Sequence, residues 1–299
     1  LPFMVSQSEI LKKVRRIEIR TRGLSSEIFA GKYHSAFKGR GMSFSEVREY
    51  RAGDDVRDID WNVTARSRSP HIKVYEEERE LTMMLAVDVS GSRMFGTRTM
   101  LKKELAAEIA AVLAFSAEKN GDKVGCLLFS DRVELFIPPK KGRNHILHII
   151  RQLLEFEPSG SGTDIGGALR FMTGALKKHT TVFLISDMMD VDVSAGKARF
   201  EEPLKIVSSR HDVVALRLYD RRDESLPDVG VMEMADSESG RRVWVDTGSA
   251  AVRRAYDSHY KKSSFIAEGT LMRYKVDTVA VATDDDYVKS LILLFKQRR

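Results

Sequence analysis

The chain has 299 residues, 42% of them hydrophobic and 31% charged, enough to bury one large core or two modest ones and to exclude disorder as its default state. Its net charge of +6 is concentrated at one end, because residues 1–40 carry nine Lys/Arg against three Glu while the rest of the chain is neutral overall. The longest apolar stretches, 105–115 and 291–295, are interrupted by Glu108 or far too short for a bilayer, so no membrane span is expected.

Ile10, Leu11, Val14 and Ile17 recur at helical spacing and predict an amphipathic first helix ending before Gly23. The basic leader around it reads first as a solvated helix face, and second as a contact for nucleic acid or an anionic surface. Between residues 43 and 74, β-prone pieces at 44–50 and 71–75 flank the turn-rich Ala52-Gly53-Asp54-Asp55 and predict a small irregular module. From residue 81 onward, strand-like and helix-like segments alternate as in a parallel sheet covered by helices. The apolar run 81–89 leads to a helix over 98–119. Strands at 123–129 and 133–137, separated by Ser130-Asp131-Arg132, form a hairpin and supply one antiparallel edge strand. Helices follow over 143–156 and 164–178, then a buried strand at 181–185, a helix over 198–209 and a strand at 213–218. A second hairpin (229–235 with 241–245), a helix over 249–268, a strand at 276–282 and a terminal helix from 285 complete the pattern. The expected fold is α/β, a doubly wound and mostly parallel sheet in 79–299, preceded by an accessory module in 1–78.

In an open α/β sheet, ligands gather outside the carboxyl ends of the strands, where loops converge and helix N-termini point. Three features fall there. Asp88-Val89-Ser90-Gly91-Ser92 puts an oxygen on every second residue directly after a strand; Gly160-Ser161-Gly162-Thr163-Asp164 delivers Thr163 just before a helix; and Asp187 follows the apolar strand Val182-Phe183-Leu184-Ile185 and Ser186. Two carboxylates and three hydroxyls suit a hard cation, Mg²⁺ or Mn²⁺, and leave a coordination position for an external carboxylate. Each piece alone also fits helix capping or a turn.

The Asp-x-Ser-x-Ser run, the later Thr in a Gly-rich loop and the Asp ending a later strand resemble the metal-ion-dependent adhesion site of von Willebrand factor A domains over about residues 79–299. The resemblance implies that Asp88, Ser90, Ser92, Thr163 and Asp187 ligate the metal and that the protein recognises a protein partner. Two positions depart from that pattern, Arg93 after Ser92 and Met188-Met189-Asp190 after Asp187 where a Gly is usual. Upstream, the run from Glu49 through Arg51, Asp54, Asp55, Arg57, Asp58 and Asp60 to Trp61, with Thr64-Ala65-Arg66 and residues 75–81, resembles the bacterial domain of unknown function 58 family over essentially the whole chain. That family is associated with MoxR-type AAA+ ATPases. The resemblance implies an adaptor that serves such an ATPase in remodelling or activating a client protein, with the client offering an acidic side chain to the metal.

The acidic cluster Asp54, Asp55, Asp58 and Asp60, interleaved with Arg51, Arg57 and Arg66, is read first as an ion-pair network pinning the module to the sheet, with Trp61 as its apolar anchor. A docking surface formed by Arg51, Asp54, Asp55, Arg57, Asp58 and Trp61 is the second reading. An Mg-dependent phosphoester hydrolase is the alternative class, since Asp88 and Asp187 around Mg²⁺ could activate water. No Gly-x-x-x-x-Gly-Lys-Ser/Thr loop or Gly-x-Ser-x-Gly elbow supports it, so a non-enzymatic role is expected. Nucleic-acid binding is disfavoured because no aromatic platform accompanies the basic leader. Leu1-Pro2-Phe3-Met4 lacks the features of a secretory signal, and the single cysteine, Cys126, reads as a buried thiol, so a cytoplasmic location is expected.

Overall fold

The computed structural model describes residues 7–24, 42–67, 69–77, 81–97, 100–238 and 240–298. Helix α1 (Gln7–Leu24) buries Val14 and Ile17 and exposes Lys12, Arg15, Arg16 and Arg20, as its spacing requires. Ion pairs from Arg20 to Glu108 and from Arg143 to Glu18 tie it to the main body. The basic positions Lys32, Lys38 and Arg40, and residues 78–80 of the family-like stretch, lie outside the described residues.

Strands β1 (Met42–Glu49) and β2 (His71–Glu77) pair antiparallel, and a short helix α2 (Trp61–Ser67) sits between them. The acidic cluster forms ion pairs inside this module: Asp54 with Arg48, Asp55 with Arg57 and Asp60 with Lys73. None of these three pairs reaches the sheet, and Trp61 is 70% exposed. The expected apolar anchor is therefore corrected; the indole is a surface group, and local ion pairs and turns shape the module.

Strand β3 (Thr82–Asp88) carries five consecutive buried residues, which only a strand covered on both faces accommodates. The chain continues through α3 (Lys102–Lys119), β4 (Lys123–Phe129), β5 (Val133–Lys140), α4 (Arg143–Glu155), α5 (Ile165–Ala175), β6 (Thr181–Ser186), α6 (Glu201–Arg210) and β7 (Asp212–Tyr219). Strands β8 (Val231–Ala235) and β9 (Arg242–Asp246) form a separate hairpin, followed by α7 (Ala250–Arg273), β10 (Asp277–Ala282) and α8 (Tyr287–Gln297).

The six-stranded sheet runs in the order β10-β7-β6-β3-β4-β5, all parallel except β5, which pairs antiparallel with β4. This is a doubly wound architecture with one antiparallel edge strand. Alternation along β3 sends Met83, Leu85 and Val87 to the core beneath α1, α3, α4 and α8, and Met84 and Ala86 to the core beneath α5, α6 and α7. Cys126 is fully buried in β4, and that burial pushes its thiol up.

Several boundaries differ from expectation: α1 runs through Gly23 to Leu24, β5 extends past 137 to Lys140, α5 stops at Ala175 and α6 starts at Glu201. Helix α3 begins at Lys102, whose amide closes a turn onto the Phe95 carbonyl, not at 98. Helix α7 runs five residues past 268, through Gly269, because Leu271, 1% exposed, continues its buried stripe. Among the described residues, no helix is long and apolar enough to cross a membrane.

Candidate metal centre

The strand order reverses between β3 and β6, which is the switch point where an α/β sheet opens a crevice at its carboxyl edge. Asp88 ends β3, and Asp187 follows β6. The loop bearing Thr163 is drawn to the same edge by two backbone bonds, Gly91 N–H to the Ser161 carbonyl at 2.9 Å and Asp164 N–H to the Ser130 carbonyl at 2.8 Å. Three loops far apart in the chain thus meet.

Asp88 accepts from the Ser90 amide at 2.9 Å and, through its other oxygen, from the Ser186 hydroxyl at 2.7 Å. The Ser90 and Ser92 hydroxyls lie 3.2 Å apart. Ser90 occupies an N-cap position but makes no side-chain capping bond, so capping does not account for it. Asp164 does cap α5, accepting from the Gly167 amide at 2.7 Å, whereas Thr163 donates its hydroxyl to Glu238 at 2.9 Å. Asp187 accepts from the Met189 amide at 3.3 Å.

Asp88, Ser92, Ser186 and Asp187 line a cavity of about 20 Å³, together with Arg93 and Lys102. That volume holds one water-sized occupant. Ser90 and Thr163 do not line it: the Ser90 hydroxyl is 3.2 Å from that of Ser92, and the Thr163 hydroxyl is turned to Glu238. Burial, and then the charge of Asp187, pushes the Asp88 carboxyl up to about 7. The next strand end shows the contrast: burial acts on Asp220 too, but hydroxyls of Thr283 and Thr97 at 2.5 and 2.6 Å hold it at about 2.

Two cations border the cavity. Burial alone would lower the proton affinity of Lys102, but Asp187 and Asp223 outweigh it. Its ammonium lies 2.7 Å from Asp223 and 3.5 Å from Asp187, so its closer partner is the acid outside the cavity wall. Arg93 is 9% exposed, and its Nη1 has no hydrogen-bond partner. Met188, in the place of the usual Gly, has φ 61° and is fully buried. Left-handed backbone at a non-Gly residue costs about 1–2 kcal/mol, which the buried side chain offsets.

Two carboxylates and neighbouring hydroxyls around a cavity of one-ion size are the donor types a hard divalent ion takes, while Lys102 and Arg93 in the same wall offset part of the acid pair's charge. Among the described residues, no three His, Cys, Asp or Glu side chains are grouped to hold a metal, so hydroxyls must supply part of any shell. Ser186, Lys102 and Glu238 were not anticipated. Glu238 lies 75 residues from its Thr163 partner, a contact that no local pattern encodes.

An uncharacterized protein of Mycobacterium tuberculosis is 30% identical over 238 residues, covering 79% of this chain and 73% of the relative. The uncharacterized protein YeaD of Bacillus subtilis is 28% identical over 109 residues, covering 36% of this chain and 25% of the relative. Among solved structures, the conserved hypothetical protein BatB from Bacteroides thetaiotaomicron is 17% identical, with a TM-score of 0.46 over 73% of this chain and 98% of that one. A von Willebrand factor type A protein from Catenulispora acidiphila is 11% identical, with a TM-score of 0.39 over 73% of this chain and 41% of that one. The model of the family described as "Protein of unknown function DUF58" matches residues 46–265, and the chain belongs to that family.

Proposed function

We propose that the protein is a metal-dependent protein-interaction module in which Asp88, Ser90, Ser92, Thr163 and Asp187 hold Mg²⁺ or Mn²⁺ and an acidic side chain of a partner completes the shell. The observation that carries this reading is the meeting of Asp88, Ser92, Ser186 and Asp187 at the switch point of the sheet around a cavity the size of one ion, with the Thr163 loop bonded to the Asp88–Ser92 loop. The partner in this reading is a MoxR-type AAA+ ATPase, acting with a client protein. The relatives are uncharacterized, and their descriptions indicate no catalytic function.

Calorimetric titration with Mg²⁺ and Mn²⁺ tests the ion site. Wild type is expected to bind and Asp88→Ala is not; indistinguishable titrations would remove the metal from the reading. Co-sedimentation with a purified MoxR-type ATPase, with and without chelator, tests the partner. Retention that ignores the chelator would detach the interaction from the ion.

A further inference from the structure

Helix α7 packs inward through Ser263, Ala267, Thr270 and Leu271, all in its second half. On the opposite side Arg254, Ser258, Lys261, Phe265 and Met272 follow one another at steps of four, three, four and seven residues, which sets them in one straight stripe. All five are exposed, Phe265 and Met272 each at 78%. Arg254, Asp257, Ser258, Lys261, Lys262 and Phe265 line an open groove of about 570 Å³ along the helix, and none of them lines the ion cavity. The other charges of α7 are spoken for: Arg253 pairs with Asp228, Glu268 with Arg217 and Arg273 with Glu201. Arg254, Lys261 and Lys262 make no ion pair among the described residues, and Asp257 is the one acid in the groove.

We propose that this stripe docks an acidic amphipathic helix of a partner protein, with an apolar side chain on Phe265 and carboxylates against Lys261, Lys262 and Arg254. Complementary charge identifies the occupant. Three uncompensated cations beside one exposed aromatic attract an acidic chain and offer it an apolar anchor. The shape selects a helix, because the row is straight and rises about 16 Å from Arg254 to Phe265, and a second helix presents side chains at the same three- and four-residue steps. A nucleic-acid strand fits less well. A phosphodiester backbone brings negative acceptors alone, whereas Asp257 sets a negative charge in the groove and its buried Oδ1 has no hydrogen-bond partner. A peptide carries side-chain donors that meet this acceptor, and a phosphate is repelled by it.

Fluorescence anisotropy tests the proposal, with the full chain titrated in chelator into a labelled peptide of Glu, Ala and Leu in a helical amphipathic pattern, as long as the stripe. The same peptide with Lys for Glu, an oligothymidylate and phosphatidylglycerol vesicles are the comparison probes. Wild type is expected to bind the Glu peptide and to ignore the Lys peptide. The double change Lys261→Glu and Lys262→Glu should weaken binding about tenfold, a shift of about 1.4 kcal/mol. Lys119→Glu, at an exposed position of α3 across the sheet, should leave it unchanged. Phe265→Ser should weaken binding of the Glu peptide several-fold but not of a version with Ala for Leu, a split that charge attraction alone does not produce. No binding by wild type, indifference to the lysine pair or to Phe265→Ser, or tighter binding of the oligothymidylate or the vesicles than of the Glu peptide overturns the proposal. Because chelator is present throughout, the outcome is independent of the ion site.

Discussion

With divalent ions chelated, Asp88→Asn is expected to stabilise the protein at pH 8 and to leave it nearly unchanged at about pH 3.5, below the ordinary carboxylate value. The Asp88 carboxyl is raised from 3.8 to about 7, by burial and then by the Asp187 charge. A group that holds its proton more tightly in the folded state contributes fully below its unfolded value and loses that contribution as pH rises through its folded value. For Asp88 the loss falls between pH 4 and about 7. Three units at about 1.4 kcal/mol each set an upper bound of about 4 kcal/mol, and water reaching the partly exposed residue reduces this to about 2 kcal/mol. Asn keeps the shape and an acceptor for the Ser90 amide, and removes the charge. Urea unfolding at both pH values, in chelator, reads the difference directly. Adding Mg²⁺ at a hundredfold over its Kd should return about 2.7 kcal/mol to wild type at pH 8 and much less to the variant. Identical pH dependence of the two proteins in chelator would show that the buried acid pair is not under the strain argued here.

Lys102→Met leaves Asp223 and Asp187 without their shared cation, and thermal unfolding in chelator should show a loss of about 3 kcal/mol. The same variant should bind Mg²⁺ more tightly, since a competing charge has gone, and weaker binding would count against that view. Met188→Gly relieves the left-handed backbone but empties a fully buried position, so a net loss of about 1–3 kcal/mol is expected in urea unfolding. A net gain would mean the strain outweighs the packing. Gly91→Ala drives a methyl into the Ser237 carbonyl, so tryptic cleavage after Arg241 and Arg242 should accelerate while far-ultraviolet circular dichroism stays constant. Unchanged cleavage would refute the close packing of Ser237 on Gly91.

Much of the fold was legible because its signals are local. The run Met83 to Val87 can only be a doubly covered strand, and the three residues between β4 and β5 impose the hairpin that makes the edge strand antiparallel. The features that escaped were set by distance. Whether Gly269 ends α7 depends on Leu271 finding a core, and the exposure of Trp61 depends on what packs over α2. That Asp88, Ser90, Ser92 and Asp187 come to one sheet edge was legible because each follows a strand, and Thr163 stands just before the helix that Asp164 caps. Ser186 and Lys102 sit beside those donors without a pattern of their own, and Glu238 comes from a hairpin whose path over the sheet is a tertiary fact.

The charge arrangement limits how a partner could use the proposed site. Lys102 lies 2.7 Å from Asp223 and 3.5 Å from Asp187, so the acid pair at the cavity keeps only part of its compensation until a proton or an ion arrives. An acidic side chain of a partner brings a further like charge to that pair, which is unfavourable without a cation between them. In the proposed reading, capture of an acidic side chain at the cavity should therefore require the ion, and binding there that persists in chelator would refute this argument.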